Sequence, residues 1–340
     1  MKIGLDATYS IGEDLSGVGL YSREMLFGLA AAHPEARFEW FYRPHRYLRA
    51  WREKLPGNAR IVLLAGAGRG QVFHGLNQRL PRLRMGRAVA TFHDLFVLTG
   101  DYSTAEFRAR FAALARDAAA RADRIIAVSA FTKRQVVELL GVPEHKVSVV
   151  HHGTRRLDRL KPVSPERIVL NVGAIQKRKN IARLVEAFES MDPDWHLVLA
   201  GSAGYDSAAI FERIARSPAR QRISAPGYVS PEELAGWYGR AMIFAFPSLD
   251  EGFGMPLLEA MAAGVPAVTS NRSALPEVAG DAALLVDPED TGALAQALND
   301  LARNEELRRE LAGKGQARAR LFTWEKAVEQ TWDIYRRLAG

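Results

Sequence analysis

Short apolar strand patterns alternate with amphipathic helical patterns along almost the whole chain, and that alternation restricts the fold more than any other feature. In the N-terminal half, Ile3–Thr8, Phe38–Tyr42, Arg60–Leu64, Ala88–Phe92, Arg124–Val128 and Val147–Val150 read as strands. Helical patterns lie at Gly19–Ala32, Ser103–Ala122 and Ala130–Leu140. In the other half, strands at Ile168–Val172, Trp195–Ala200, Ile243–Phe246 and Pro266–Thr269 alternate with helices at Asn180–Ser190, Ala208–Arg216, Pro231–Gly239 and Gly292–Arg303. Alternation of this kind predicts an α/β protein with parallel sheets covered by helices on both faces. Arg155–Pro165 is charged, holds two prolines and has no periodicity, so it reads as a linker. With domains of roughly 100–200 residues, the 340 residues divide into domains over 1–160 and 166–322. A Trp-bearing amphipathic helix over 323–340 follows, and it is expected to cross back to the first domain.

Composition narrows the class. Apolar content of 48% and charged content of 25% suit a soluble globular protein. The absence of cysteine excludes disulfides, thiolate metal sites and cysteine nucleophiles, and fits a reducing compartment. Met1–Asp6 starts directly as a strand, with no signal-peptide pattern, and no apolar run is long enough to cross a bilayer. The expected location is cytoplasmic, with peripheral contact at the inner face of an anionic membrane. Charge is uneven. Residues 1–165 hold 26 Lys and Arg against 15 Asp and Glu, a net +11, whereas residues 166–340 carry −4. The Arg-aromatic stretch Tyr42–Lys54 reads either as a packed surface helix or as one lying on a membrane surface.

In open α/β sheets, ligands bind beyond the carboxyl ends of the strands. Two such domains with facing loop edges would form a central cleft. The loops after the strands therefore hold the candidate residues. The sharpest is Asp250–Met261, where Glu251 and Glu259 lie eight positions apart. Gly252 and Gly254 leave the backbone bare and Pro256 suits a first helical turn. A helix N-terminus there would bind an anion such as diphosphate. Asn171–Asn180 places Lys177, Arg178 and Lys179 between a strand and a helix. Cations at a helix N-terminus are unfavourable until an anion joins them. Gly201 ends a strand with bare backbone, and backbone groups near Tyr228 and Val229 could pair with a base edge. In the first half, Ser16-Gly17-Val18-Gly19 permits close approach at a helix start, and His93 follows a strand directly. Three features read as decoys: the glycine run Gly66–Gly70, the turn Asp192-Pro193-Asp194, and the pair His151-His152, taken as hinge residues instead of metal ligands.

These motifs in this order resemble the family-four retaining glycosyltransferases, which are nucleotide-sugar enzymes of the GT-B fold with two Rossmann-like domains. The resemblance is most specific from Gly227 to Pro288 and looser in the first half, where Phe-His-Asp-Leu and Ala-Asp-Arg-Ile-Ile-Ala-Val-Ser also match. It implies that Glu251 contacts the donor sugar and that Glu259 holds the ribose hydroxyls. It implies that Gly252, Phe253, Gly254 and Met255 present N–H groups to the diphosphate, and that Arg178 and Lys179 bind phosphate. Gly17 would approach the diphosphate from the first domain, and His93 would sit near the sugar. Many members carry Arg directly after the Val-Gly pair, where this chain has Ala174, so neutralisation leans on Arg178 and Lys179. The implied reaction moves a sugar from a nucleotide-sugar donor to a saccharide or lipid-linked acceptor, without metal or other cofactor and without nucleic acid. The first domain, with Phe-His-Asp-Leu, resembles mannosyltransferases of bacterial surface-polysaccharide assembly, and that resemblance implies GDP-mannose as donor. Same-face attack and double displacement both stay open. The rival readings are a sugar-nucleotide epimerase, a phosphorylase, and a basic nucleic-acid-binding protein.

Overall fold

The computed structural model describes residues 1–12, 15–65, 70–82, 86–154 and 164–340, so the 155–163 part of the expected linker and most of the Gly66–Gly70 run lie outside the described residues. The chain divides into two compact units, Met1–Gly153 with Thr323–Gly340, and Thr154–Phe322.

The first unit runs β1 (Lys2–Asp6), α1 (Gly17–Ala32), β2 (Arg37–Tyr42), α2 (Pro44–Ala50), β3 (Ala59–Leu63), β4 (Val72–Gly75), β5 (Arg87–Phe92), α3 (Phe96–Thr99), α4 (Ala105–Arg121), β6 (Arg124–Ala127), α5 (Ala130–Leu140) and β7 (Val147–Val149). Its seven strands are all parallel, in the order β3-β2-β1-β4-β5-β6-β7. The order reverses between β1 and β4. β4 has no counterpart among the sequence-predicted strands, yet all four of its residues are buried.

The second unit runs β8 (Glu166–Val172), α6 (Ile181–Phe188), β9 (His196–Ala200), α7 (Ser207–Ala215), β10 (Ile223–Gly227), α8 (Pro231–Arg240), β11 (Ala241–Phe246), α9 (Met255–Ala262), β12 (Ala267–Ser270), α10 (Leu275–Ala279), β13 (Leu284–Val286), α11 (Thr291–Arg303) and α12 (Glu305–Ala319). Its six parallel strands take the order β10-β9-β8-β11-β12-β13, which reverses between β8 and β11. Both sheets therefore have a switch point, where helices leave to opposite faces and a crevice opens at the carboxyl ends.

Local chemistry sets the helix starts. Ser16, Thr104, Ser129, Ser230, Asp290 and Asn304 each accept a backbone N–H of the first turn through the side chain. At α8, Glu233 completes a capping box with Ser230. Asp192 accepts the Asp194 N–H in a turn ahead of β9, at the sheet edge opposite the carboxyl ends.

The last helix, α13 (Trp324–Ala339), belongs to the first unit. Trp324, Val328, Trp332 and Tyr335 enter the same core as Met25, Leu29 and Trp40. Gly28 on α1 lets the two helices close up, since a Cβ there would stand 2.6 Å from Val328 Cγ2. Tyr335 also hydrogen-bonds buried His74, whose other ring nitrogen meets Thr91 at 2.8 Å. Burial holds His74 neutral, down to about 3.

Candidate functional site

At the β8–β11 switch point, residues from two loops meet over a buried carboxylate. After β8 the chain makes a single 3-10 turn, Lys177–Lys179, and Asn180 takes the left-handed conformation that starts α6 (φ 58°, ψ 32°). Asn tolerates that region because its short polar side chain bonds locally. Here Asn180 Nδ2 donates to the Pro247 carbonyl at 3.1 Å and the Pro288 carbonyl at 2.6 Å. The Arg178 carbonyl accepts the Leu249 N–H at 2.8 Å. The cationic turn is thus pinned to the loop that follows β11.

Glu251 lies between the two cations. Lys179 Nζ donates to Oε1 at 2.6 Å, and Arg178 Nη1 stands 3.0 Å from Oε2. Arg178 also donates to the Asp250 carbonyl. Lys179 Nζ lies 4.5 Å from the centre of the Phe246 ring, a cation–π contact. All three charged side chains are buried. The three cations before α6 called for an anion, and the chain supplies one of its own.

Burial pushes the Glu251 carboxyl up, but Arg178 and Lys179 outweigh it and hold it down at about 2. Glu251 is therefore ionised at neutral pH and acts as an acceptor, not as a proton donor. Linkage follows with a definite sign. A depressed carboxylate adds stability above its unfolded value of 4.5 and loses it as pH falls towards 2. The span corresponds to on the order of 3 kcal/mol. Unfolding titrations of wild type between pH 5 and 2 are expected to show that loss, and Glu251→Gln is expected to lack this share of it.

The Glu251 loop is braced from β12. Ser273 Oγ accepts the Glu251 N–H at 3.1 Å, and the Glu251 carbonyl accepts the Ala274 N–H at 3.2 Å. Gly254 ends the loop at φ +104°, where L side chains rarely sit, and a Cβ would stand 2.7 Å from Leu275 Cδ2. Leu257 and Leu258 both donate to the Gly254 carbonyl, and Pro256 has no N–H. Gly252, Phe253, Gly254 and Met255 are the loop residues directly ahead of Pro256. Phe253 is buried, with its ring 5.8 Å from that of Phe322.

Glu259 lies one turn further along α9. It is buried and its Oε2 accepts the Tyr238 hydroxyl at 3.0 Å. Gly201, at the end of β9, donates its N–H to the Gly227 carbonyl at 2.8 Å. Its φ of +157° and a Cβ position 2.0 Å from the Gly173 carbonyl oxygen admit only glycine. Tyr228 follows β10 and is half exposed, with Val229 beside it. These residues all lie at the carboxyl edge of the second sheet.

The first unit holds the other candidates. Gly17 is the first residue of α1 and is exposed. Gly19 owes its bareness to packing, since a Cβ would lie 2.9 Å from the Tyr9 carbonyl oxygen. His93 follows β5 and is buried. Burial lowers it to about 4, so it is neutral at pH 7. Its Nε2 pairs with the Leu76 carbonyl at 2.9 Å and must carry the ring proton as donor. The ring is fixed by the Tyr21 edge at 4.7 Å and by a stack with His152 at 5.3 Å. His152 is thus a packing partner of His93.

Tyr238, Phe246, Asn180 and Ser273 carry the geometry but escaped the sequence reading. An asparagine directly after the three cations was the one local signal. The others depend on strands that neighbour only in the fold.

Comparison with known proteins agrees with this architecture. Residues 156–318 match the family described as glycosyl transferases group 1, and residues 25–155 match Glycosyltransferase Family 4. O-antigen chain mannosyltransferase B of Escherichia coli is 31% identical over 284 residues, covering 78% of this chain and 74% of that protein. The serotype-specific mannosyltransferase WbdA of Escherichia coli is 27% identical over 237 residues, and the match spans only 29% of its length. Sucrose-phosphate synthase from Thermosynechococcus elongatus superposes with a TM-score of 0.79 at 22% identity, over 99% of this chain and 98% of that one. That likeness establishes the fold, GT-B, and nothing finer.

Proposed function

The chain belongs to the group 1 glycosyl transferases of family 4, and from that premise we propose that it moves a mannosyl residue from GDP-mannose to a saccharide acceptor, free or lipid-linked, with retention at the anomeric carbon. The observation that carries this reading is the clamp of Arg178 and Lys179 on Glu251 at the switch point. In the reaction the bond from the anomeric carbon to the diphosphate oxygen breaks, and the acceptor oxygen bonds that carbon. The acceptor proton passes to the departing diphosphate. Arg178, Lys179 and the N–H groups at the start of α9 meet the charge on the leaving group. Glu251, ionised and held by two cations, accepts sugar hydroxyls and faces developing positive charge on the ring. Both of its oxygens are engaged by cations, which favours same-face attack over a covalent glycosyl intermediate on Glu251.

Glu259 takes the ribose hydroxyls, with Tyr238 orienting it. Tyr228 and Val229 border the base. In the first unit the candidate residues are Gly17 at the start of α1 and neutral His93 after β5. The reading assigns the reaction no metal, because the two cations and the helix start supply the charge. It also assigns no nucleic-acid partner.

The test is a thermal-shift panel of GDP, UDP and ADP, followed by transfer from GDP-mannose with chelator present and NMR assignment of the product anomer. GDP is expected to raise the melting midpoint most, because only a ligand of the native state stabilises it. Lys179→Ala is expected to weaken GDP binding on the order of tenfold to a hundredfold, as loss of a charge-assisted hydrogen bond does. A shift with UDP alone would overturn the donor, an inverted product would overturn retention, and loss of transfer on chelation would overturn the metal-free route.

A further inference from the structure

The face of α2 and the turn after it combine exposed apolar side chains with several cations. Leu48 is 79% exposed and Trp51 65% exposed, the two largest values among the big hydrophobic side chains of the described residues. They lie three residues apart on one helical face, since Trp51 keeps helical backbone angles. Tyr47 props the Trp51 ring edge-on, with centroids 6.1 Å apart and planes at 87°. Burial within the fold therefore does not account for either side chain.

The charge around them is mostly positive. Residues 43–54 contain Arg43, Arg46, Arg49, Arg52 and Lys54 against the single acid Glu53, and Glu53 pairs with Arg23 at 3.1 Å. Arg46 donates to the Ile11 carbonyl at 3.2 Å. Among the described residues no carboxylate forms an ion pair with Arg49, Arg52 or Lys54, and all three are exposed. α2 follows the carboxyl end of β2, the edge from which the loops after β1, β4 and β5 also leave.

We propose that α2 docks the protein on an anionic phospholipid bilayer, with Leu48 and Trp51 entering the headgroup boundary and Arg49, Arg52 and Lys54 facing lipid phosphates. A tryptophan suits that depth because its ring is apolar and its N–H is polar. The cations supply attraction that a neutral protein surface or a neutral bilayer would not return. No helix among the described residues is long and apolar enough to cross a membrane, so the contact is interfacial. It would hold the carboxyl edge of the first sheet close to the lipid surface.

Co-sedimentation of the full chain with vesicles tests this without any sugar donor, so its outcome is separate from the transfer reading. Equal parts of phosphatidylglycerol and phosphatidylcholine are expected to carry the protein down, and phosphatidylcholine alone is not. Each cation near an anionic surface is worth about fivefold in binding, so Arg49→Glu with Arg52→Glu is expected to weaken it by at least about 25-fold. Leu48→Asp with Trp51→Asp is expected to weaken it at least about tenfold, and both pairs should melt as wild type because the sites are exposed. Tryptophan fluorescence of wild type should shift to the blue on anionic vesicles, and the Trp51 variant should lose most of that shift. The proposal is overturned if wild type stays in the supernatant with anionic vesicles, if neutral vesicles bind it equally, or if the two variant pairs bind like wild type.

Discussion

Glu251→Gln is expected to lower the transfer rate by about a hundredfold or more, in line with the removal of one preorganised charge from a buried reacting site. The same change leaves Arg178 and Lys179 buried without their carboxylate, and breaking such a group costs about 3–5 kcal/mol. The variant should therefore melt well below wild type when no ligand is present. A nucleoside diphosphate restores the missing negative charge, so GDP should raise the variant's melting midpoint by more than it raises that of wild type. Turnover and ligand stabilisation would move in opposite directions, which a simple folding defect does not produce. A variant that turns over normally, or that gains no more from GDP than wild type does, would remove the clamp from the mechanism.

The second large effect concerns Gly201. A methyl group there meets the Gly173 carbonyl oxygen at 2.0 Å, and the backbone sits at φ +157°. Neither end of that contact is a flexible side chain. Gly201→Ala must therefore push the β8 and β9 loops apart, at a cost of about 3 kcal/mol. The displaced β8 loop carries Arg178 and Lys179, so GDP binding should weaken as well. Gly236 in α8 provides the contrast, because a Cβ there meets nothing within 4 Å. Gly236→Ala should stabilise by roughly 0.5–1 kcal/mol, as in any helix interior. Denaturant midpoints for the two variants give the comparison, and a Gly201→Ala protein as stable as wild type would show that the loops yield easily.

Much of the fold can be read from the sequence because its signals are local. Short, mostly apolar stretches mark β1, β2, β5, β8, β9 and β11, and Gly254 with Pro256 marks the start of α9. β4 is different. It is four residues long and contains His74 and Gly75, so it has neither apolar continuity nor alternation. What holds it is distant: His74 bonds Thr91 on β5 and Tyr335 on α13. β13 has three residues on a sheet edge, too few to show a period. The candidate site divides in the same way. Lys177, Arg178 and Lys179 announce a need for negative charge, but Glu251 answers from 72 positions away, through β8 and β11 lying side by side. Tyr238 looks like one more apolar-face residue of α8 until the fold brings its hydroxyl to Glu259.

The place of α13 bears on how the chain assembles on the ribosome. Trp324, Val328, Trp332 and Tyr335 complete a core whose other members begin at Ile3, with all of Thr154–Phe322 emerging in between. The earlier-made part of that core stays partly unsealed until α13 has been made. The segment between them has its own sheet and its own apolar interior. A stop codon before Trp324 would therefore strip the core of the first unit, not of the unit it adjoins.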